Sequence, residues 1–418
     1  MLNIPTFRLT FLLLLLLELI SFYAYIVPVF GSIAYVIILA VILAATLHRL
    51  EIGVYIAFAE LVVGSKGYLL VLPLGGIDLS LRMGIFLIVM TVWFGNFVVH
   101  SNVRTDIRIF FHTSIGKACV IFALAIGWGV VRGITMHHSF TEIFFDVNNY
   151  LYGALLLPLL TVYRTPAFFK IMCSVITSAA VLLAIKTLWL VLWFSHHLWY
   201  WWEPVYHWIR NTGIGEITQL VGGVSRIFLQ SQIFHVVGLC IVLALLTVRV
   251  TGQKEYQKNL SLWLLAALFV ASLFASGSRS FWVGIVTGLL FACVLPIILT
   301  GRWTKSSGLH TIQLLKISVL VGVFGVILAW MVAVVPLPGL GTGSLDVSVL
   351  AQRATTFTGE AGVASRWSLL PPLFAEIKKS PLAGEGFGAS VTYSYKIRVY
   401  AQHILTACIP PLRLNGGI

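Results

Sequence analysis

Charge is what this sequence has least of. Asp, Glu, Lys and Arg make up 10% of its 418 residues, where a soluble domain carries about a quarter. A surface that poor in charge cannot be wetted by water, so a water-soluble fold is excluded. Cysteine is scarce too: Cys119, Cys173, Cys240, Cys293 and Cys408. The first four fall in apolar runs and none forms a CxxC pair, which speaks against a disulfide framework and a cysteine zinc site. DxD, Walker, HExxH and GxSxG sequences are missing, so metal–nucleotide-sugar chemistry, ATP hydrolysis and serine hydrolysis find no support. The short alternation of a membrane barrel is missing as well.

What is there is apolar: 59% of the residues are hydrophobic, and runs near 20 residues recur from end to end. About 20 helical residues cross the hydrocarbon core of a bilayer. An open sheet edge is not viable in lipid, so the spans are helices. The expected fold class is an all-α, polytopic membrane protein of about 11 transmembrane helices. Their expected ranges are roughly 10–27, 30–47, 51–64, 82–100, 115–132, 148–163, 170–194, 227–247, 259–276, 280–299 and 315–336. The third is too short to cross unaided and is expected to continue as a re-entrant piece through Leu69–Leu74. Phe11 to Leu17 resembles a signal-peptide core, but Glu18 interrupts it and no convincing small-x-small cleavage site follows. A retained first span is expected.

A net charge of +13 suggests nucleic acid only if the cations form a stripe with interleaved aromatics. Here they stand singly in loops, so no nucleic-acid partner is expected. With the N-terminus cytoplasmic, the inner loops carry Arg49; Arg104, Arg108 and Lys117; Arg164 and Lys170; Arg249, Lys254 and Lys258; Arg302, Lys305 and Lys316. That is the positive-inside pattern.

The chain reads as a single membrane domain, 1–418, with two long segments outside the spans. An aromatic-rich loop covers 195–225, and a C-terminal loop covers 337–418; both fall on the outer face of this topology. Long loops without evident secondary structure are more often functional than not. Four arginines gather at that face: Arg226, Arg279, Arg353 and Arg366. Interface anchoring explains any one of them. A set on the side that should be poor in arginine also fits an anionic partner, and guanidinium is the preferred bidentate ligand of phosphate. A lipid diphosphate is the natural candidate. His403 reads either as an ordinary loop histidine or as a general base toward an attacking hydroxyl. Trp201, Trp202 and Tyr206 belong to a stretch that is either an interfacial aromatic belt or a platform on which sugar rings stack. His196, His197 and His207 match no standard metal-ligand spacing, and no metal or cofactor is expected. Glu18 lies inside the first span. One such carboxylate is thin support for a transporter, which needs partnered charges.

At ASGSRSFWVG (275–284) and at SRWSLL (365–370) the chain resembles the O-antigen ligase and polymerase superfamily of bacterial envelope glycosyltransferases. So does the stretch Pro381, Leu382, Gly384, Gly386, Phe387 and Gly388. The segments at 60–70 and 80–89 are similar to the N-terminal half of some members. The resemblance implies a many-helix fold with an outer-face cavity and a glycan donor on undecaprenyl diphosphate. It implies that Arg226 and Arg279 hold the diphosphate and that a late-loop histidine activates the acceptor hydroxyl. The acceptor is a lipid or another glycan, and transfer needs no metal. Localisation in the cytoplasmic (inner) membrane follows from the same resemblance. It also implies a further span after the outer loop. The tail QHILTACIPPLRLNGGI matches no such span, so from about residue 404 the chain is expected to be truncated or to run in a shifted frame.

Overall fold

The computed structural model describes residues 3–74, 77–163, 166–196, 198, 202–219, 225–251, 260–300, 305–336 and 361–391. It is 84% helical, and eight helical stretches among the described residues are long and apolar enough to cross a membrane. The chain is thus an all-α, multi-pass membrane protein. The eight stretches are Ile4–Ile26, Pro28–His48, Leu81–Val99, Ser114–Thr135, Phe140–Val162, Pro166–Ser195, Gln230–Val250 and Gly308–Val334. The expected total of 11 is not reached by this measure. Leu260–Ser276 and Arg279–Leu295 are shorter apolar helices, and Leu50–Val63 has 14 residues.

The helices are α1 (Ile4–Ile26), α2 (Pro28–His48), α3 (Leu50–Val63), α4 (Leu81–Val99), α5 (Ser101–His112), α6 (Ser114–Thr135), α7 (Phe140–Leu151), α8 (Leu156–Val162), α9 (Pro166–Ser195), α10 (Trp202–Asn211), α11 (Ile233–Thr251), α12 (Leu260–Ser276), α13 (Arg279–Thr300), α14 (Lys305–Val334) and α15 (Ala361–Lys379). Two antiparallel hairpins interrupt them: β1 (Val71–Leu74) with β2 (Ile77–Ser80), and β3 (Gly215–Gln219) with β4 (Ser225–Leu229). The re-entrant continuation expected through Leu69–Leu74 is therefore replaced by a hairpin. The span expected at 227–247 begins as a strand, and the 195–225 loop contains α10 and β3. In the first two cases a short apolar run was compatible with strand or helix, and periodicity alone does not separate them.

The residues group into two units, Met1–Val92 with Val162–Ala351 and Trp93–Thr161 with Gln352–Ile418. In the first, helices turn apolar side chains to lipid and bury an apolar core that carries scattered polar groups. Helix α1 buries Leu14, Glu18, Ser21 and Ala24 while exposing Leu9, Leu12, Leu13, Leu16 and Leu19. Hydrocarbon offers no hydrophobic drive between helices, so small and polar side chains add to the apolar packing in joining them. Helix α9 is the central member: 67% of its most apolar window is buried, against 22% for α1. Its Ser174 Oγ accepts from Asn3 N at 2.7 Å, and its Ser178 Oγ donates to Phe7 O at 2.9 Å. Further along the same seam, Lys186 Nζ donates to Glu18 Oε1 in a buried ion pair. Glu18 therefore has the partner that the sequence reading did not find.

A second ion pair joins α3 to α4. Arg82 reaches both carboxylate oxygens of buried Glu60, with Nε–Oε2 at 2.8 Å and Nη2–Oε1 at 3.3 Å. Glycines make the room. A Cβ at Gly64 would overlap the Glu60 carboxylate, and one at Gly67, whose φ is +89°, would lie 2.6 Å from Arg82 Cβ.

In the second unit, residues 383–388 lie on α6 and α7. Phe387 N donates to Gly129 O at 3.0 Å, His138 Nδ1 bonds Phe387 O at 2.8 Å, and Gly388 N donates to Asp146 Oδ2 at 2.8 Å. Gly384, Gly386 and Gly388 have φ of +69°, +84° and +81°, a region open to glycine at little cost.

Candidate functional site

Two of the predicted arginines come to one turn of the first unit, Arg279 by its place in the chain and Arg226 by its side chain. Helix α12 stops at Ser276 because Gly277 takes φ +55°. Ser278 then opens α13, its carbonyl accepting from Phe281 N at 3.1 Å and Trp282 N at 3.3 Å. Arg279 is the first residue of α13. The Arg226 side chain arrives from β4 and donates from Nε to Ser276 O at 2.8 Å. Its aliphatic stem lies over Gly277, where an added Cβ would be 3.4 Å from Arg226 Cγ. Its guanidinium carbon stands 4.8 Å from the Phe228 ring centroid, and Phe228 stacks on Phe281 at 5.7 Å. Arg226 is thus aimed at the turn by an aromatic shelf on one side and a carbonyl on the other.

The turn is rich in hydroxyls. Ser278 Oγ and Ser280 Oγ share a hydrogen bond at 2.9 Å, and Ser276 Oγ accepts from Ser278 N at 3.1 Å. The N-terminal end of the 22-residue α13 adds its partial positive charge. The Arg226 guanidinium, hydroxyls and a helix N-terminus stand at this turn, with Arg279 as the first residue of that helix, an arrangement that favours a bound anion of phosphate type.

What holds Arg226 there is a buried polar knot that the sequence reading missed. Residues 218 and 226 are paired in the β3–β4 ladder. Immediately after β4, Gln232 turns inward and is fully buried. Its Oε1 accepts from Leu229 N at 3.1 Å. Its Nε2 reaches Thr187 Oγ1 on α9 and Ser272 O on α12, both at 3.3 Å. One side chain thereby fixes the strand carrying Arg226 to the helix whose end bears the turn. Polar residues flanking an apolar run (SRIFLQSQIF, 225–234) were its only signal in the sequence.

The same end of the first unit gathers other polar features. Trp208 Nε1 donates to Ser21 Oγ at 3.0 Å, and Ser21 Oγ donates on to Leu69 O at 2.5 Å. His196 Nε2 bonds Val335 O at 2.6 Å, tying the ends of α9 and α14. His196 is therefore engaged by the backbone, and His207 stands 3.9 Å from Glu203. Among the described residues no group of three His, Cys, Asp or Glu side chains could hold a metal ion.

The other predicted site residues fare differently. Tyr206 lies on α10, where its hydroxyl accepts from Arg210 Nη1 at 2.5 Å and the guanidinium covers its ring at 5.5 Å. A sugar ring on that face would have to compete with Arg210. Trp202 starts α10 and Arg366 lies on α15. Trp201, Arg353 and His403 lie outside the described residues. Arg366 belongs to the second unit and Arg226 and Arg279 to the first.

No family model, curated protein or solved structure matches the chain.

Proposed function

We propose that this protein transfers a glycan from an undecaprenyl-diphosphate carrier to an acceptor hydroxyl, in the manner of an O-antigen ligase or polymerase. The observation that carries the reading is the convergence of Arg226 and Arg279 on the α12–α13 turn, two residues 53 positions apart in the sequence. In the proposed reaction the acceptor oxygen bonds to the anomeric carbon as the bond from that carbon to the diphosphate oxygen breaks. Charge grows on the departing diphosphate, and fixed guanidinium groups stabilise it there. A histidine of the C-terminal segment, His403 by the resemblance, takes the acceptor proton. Trp201, Trp202 and Tyr206 contact the glycan. The acceptor is a lipid or another glycan, and no metal takes part.

The site faces outward in the cytoplasmic membrane, with the N-terminus inside. The support is the charge distribution: Arg8, Arg49, Lys170 and Arg249 stand near the helix ends opposite the α12–α13 turn. Positive residues are retained on the cytoplasmic side. The test is Arg279→Ala, assayed for transfer in membrane vesicles alongside a measure of insertion. Insertion at the wild-type level with transfer lost is expected. Transfer retained in that variant would remove Arg279 from the site.

A second reading, transport of a lipid-linked glycan, is favoured by the buried pairs Glu18–Lys186 and Glu60–Arg82 within apolar helices. Intramembrane charges commonly mark transport pathways. It predicts carrier movement with no new glycosidic bond.

A further inference from the structure

The Pro-Leu-x-Gly stretch does more than fasten a chain segment. It fixes two side chains of α6 at a membrane-spanning helix's end, and those side chains have a use that the fastening does not explain. Trp128 and Arg132 stand one turn apart on α6, an (i, i+4) pair on one face. Trp128 Nε1 donates to Ala383 O at 2.9 Å, and Arg132 Nε donates to Gly384 O at 3.1 Å. Both are thus held by carbonyls of the same short loop. Trp128 is nevertheless 55% exposed, and Leu382, which precedes Ala383 in the loop, is 99% exposed.

Among the described residues Arg132 has a carbonyl partner and no ion pair. The ion pairs among the described residues are Glu60–Arg82, Glu18–Lys186, Glu203–His207 and Glu376–Lys379, and Arg132 is in none of them. Glu385, beside Gly384 in the chain, forms no ion pair with it. A guanidinium at the boundary of an apolar helix calls for an anion. Here Nη1 and Nη2 are left to bind it, while Nε is spent on holding the geometry. An exposed indole and a fully exposed leucine beside that cation describe an amphipathic ligand: a negatively charged phosphate ester next to hydrocarbon.

We infer that Trp128, Arg132 and the 382–384 loop form a binding site for a phosphate ester at the membrane boundary, distinct from the α12–α13 turn. Two sources share this chemistry, the headgroup of an anionic bilayer phospholipid and the phosphate of a soluble molecule. The site is preorganised by Phe387. Its ring fills a notch that exists because residues 129 and 133 are glycines: a Cβ at Gly129 would lie 2.8 Å from Phe387 Cε2, and one at Gly133 would overlap Phe387 O. Phe387 seats the loop, and the loop orients the two side chains. Phe387 is therefore a positioning residue, and its removal leaves the charge of Arg132 in place.

The test uses the full chain in nanodiscs of phosphatidylcholine carrying a fraction of phosphatidylglycerol. Lipid retained on the protein after release is counted by native mass spectrometry. Arg132→Gln is expected to lower retention of phosphatidylglycerol about tenfold, the effect of losing a charge-assisted hydrogen bond. Phe387→Ala, with the arginine intact, is expected to lower it as well. Arg132→Lys keeps the charge without the planar fork and is expected to fall between wild type and Arg132→Gln. Added inorganic diphosphate then separates the sources. Displacement of the lipid assigns the site to the phosphate group by itself, and persistence assigns it to a headgroup whose chain lies against Leu382. Equal retention by wild type and Arg132→Gln overturns the proposal. So does loss in Arg132→Gln with none in Phe387→Ala, because the arginine would then be a plain interfacial charge. Neither readout depends on glycan transfer.

Discussion

Replacing Lys186 by methionine exposes what the α1–α9 seam is worth. Lys186 and Glu18 are each 7% exposed in their side chains, and among the described residues the lysine bonds Glu18 Oε1 alone. Oε2 has no hydrogen-bond partner. In Lys186→Met the carboxylate is left with neither oxygen bonded, in surroundings contributed by apolar helices. Removing one member of a buried pair costs about 3–5 kcal/mol, because the remaining charge is uncompensated. Replacing both members by apolar residues of similar volume is neutral or better. The assay is reversible unfolding in mixed micelles, applied to Lys186→Met, Glu18→Leu and the double variant. The single lysine variant is expected to lose about 3–5 kcal/mol and the double variant to return to within about 1 kcal/mol of wild type. A loss below about 1 kcal/mol in Lys186→Met, or a double variant as unstable as the single, contradicts a buried charge pair at this seam. The double variant carries a second message. Wild-type glycan transfer by it makes the pair structural and removes the main support for a transport reading.

Gln232→Leu keeps the size of the side chain but leaves Leu229 N, Thr187 and Ser272 without their shared partner. A buried group left unsatisfied costs about 1–3 kcal/mol, so lower stability and reduced transfer are expected together. Gln232→Glu, which keeps the acceptor for Leu229 N, separates the two effects in the same assays. Gly277→Ala forces a side chain into φ +55° at the turn, a strain of about 1–2 kcal/mol. Because the added Cβ also meets the Arg226 stem at 3.4 Å, transfer is expected to fall further than the thermal stability of the variant does. Equal loss in both measurements contradicts a specific role for the turn.

Much of the architecture was legible because lipid imposes a coarse rule: apolar runs of a set length become helices. Runs such as 10–27 and 170–194 needed nothing further. Short runs failed where that rule does not reach. Leu69–Leu74 is apolar yet becomes loop and strand, and Gly75–Gly76 between two such runs was the available hairpin signal. Arg226 to Leu229 looked like the head of a span but pairs with 215–218 across a hairpin. The site was half legible. Arg226 and Arg279 could be singled out by type and by the side of the membrane they were expected to face. Their shared turn could not, since it depends on Gln232 and on a ladder register that no local pattern encodes. The Glu18–Lys186 pair spans 168 positions and the bond from Arg132 to Gly384 spans 252. Such contacts exist only once the helices have packed.

The most direct test of the central claim is a product analysis. The full chain is purified, reconstituted in vesicles and given an undecaprenyl-diphosphate glycan and an acceptor, with a chelator present throughout. A new glycosidic bond on the acceptor is expected, with one undecaprenyl diphosphate released for each bond formed. Movement of the intact carrier across the bilayer with no new bond would contradict it.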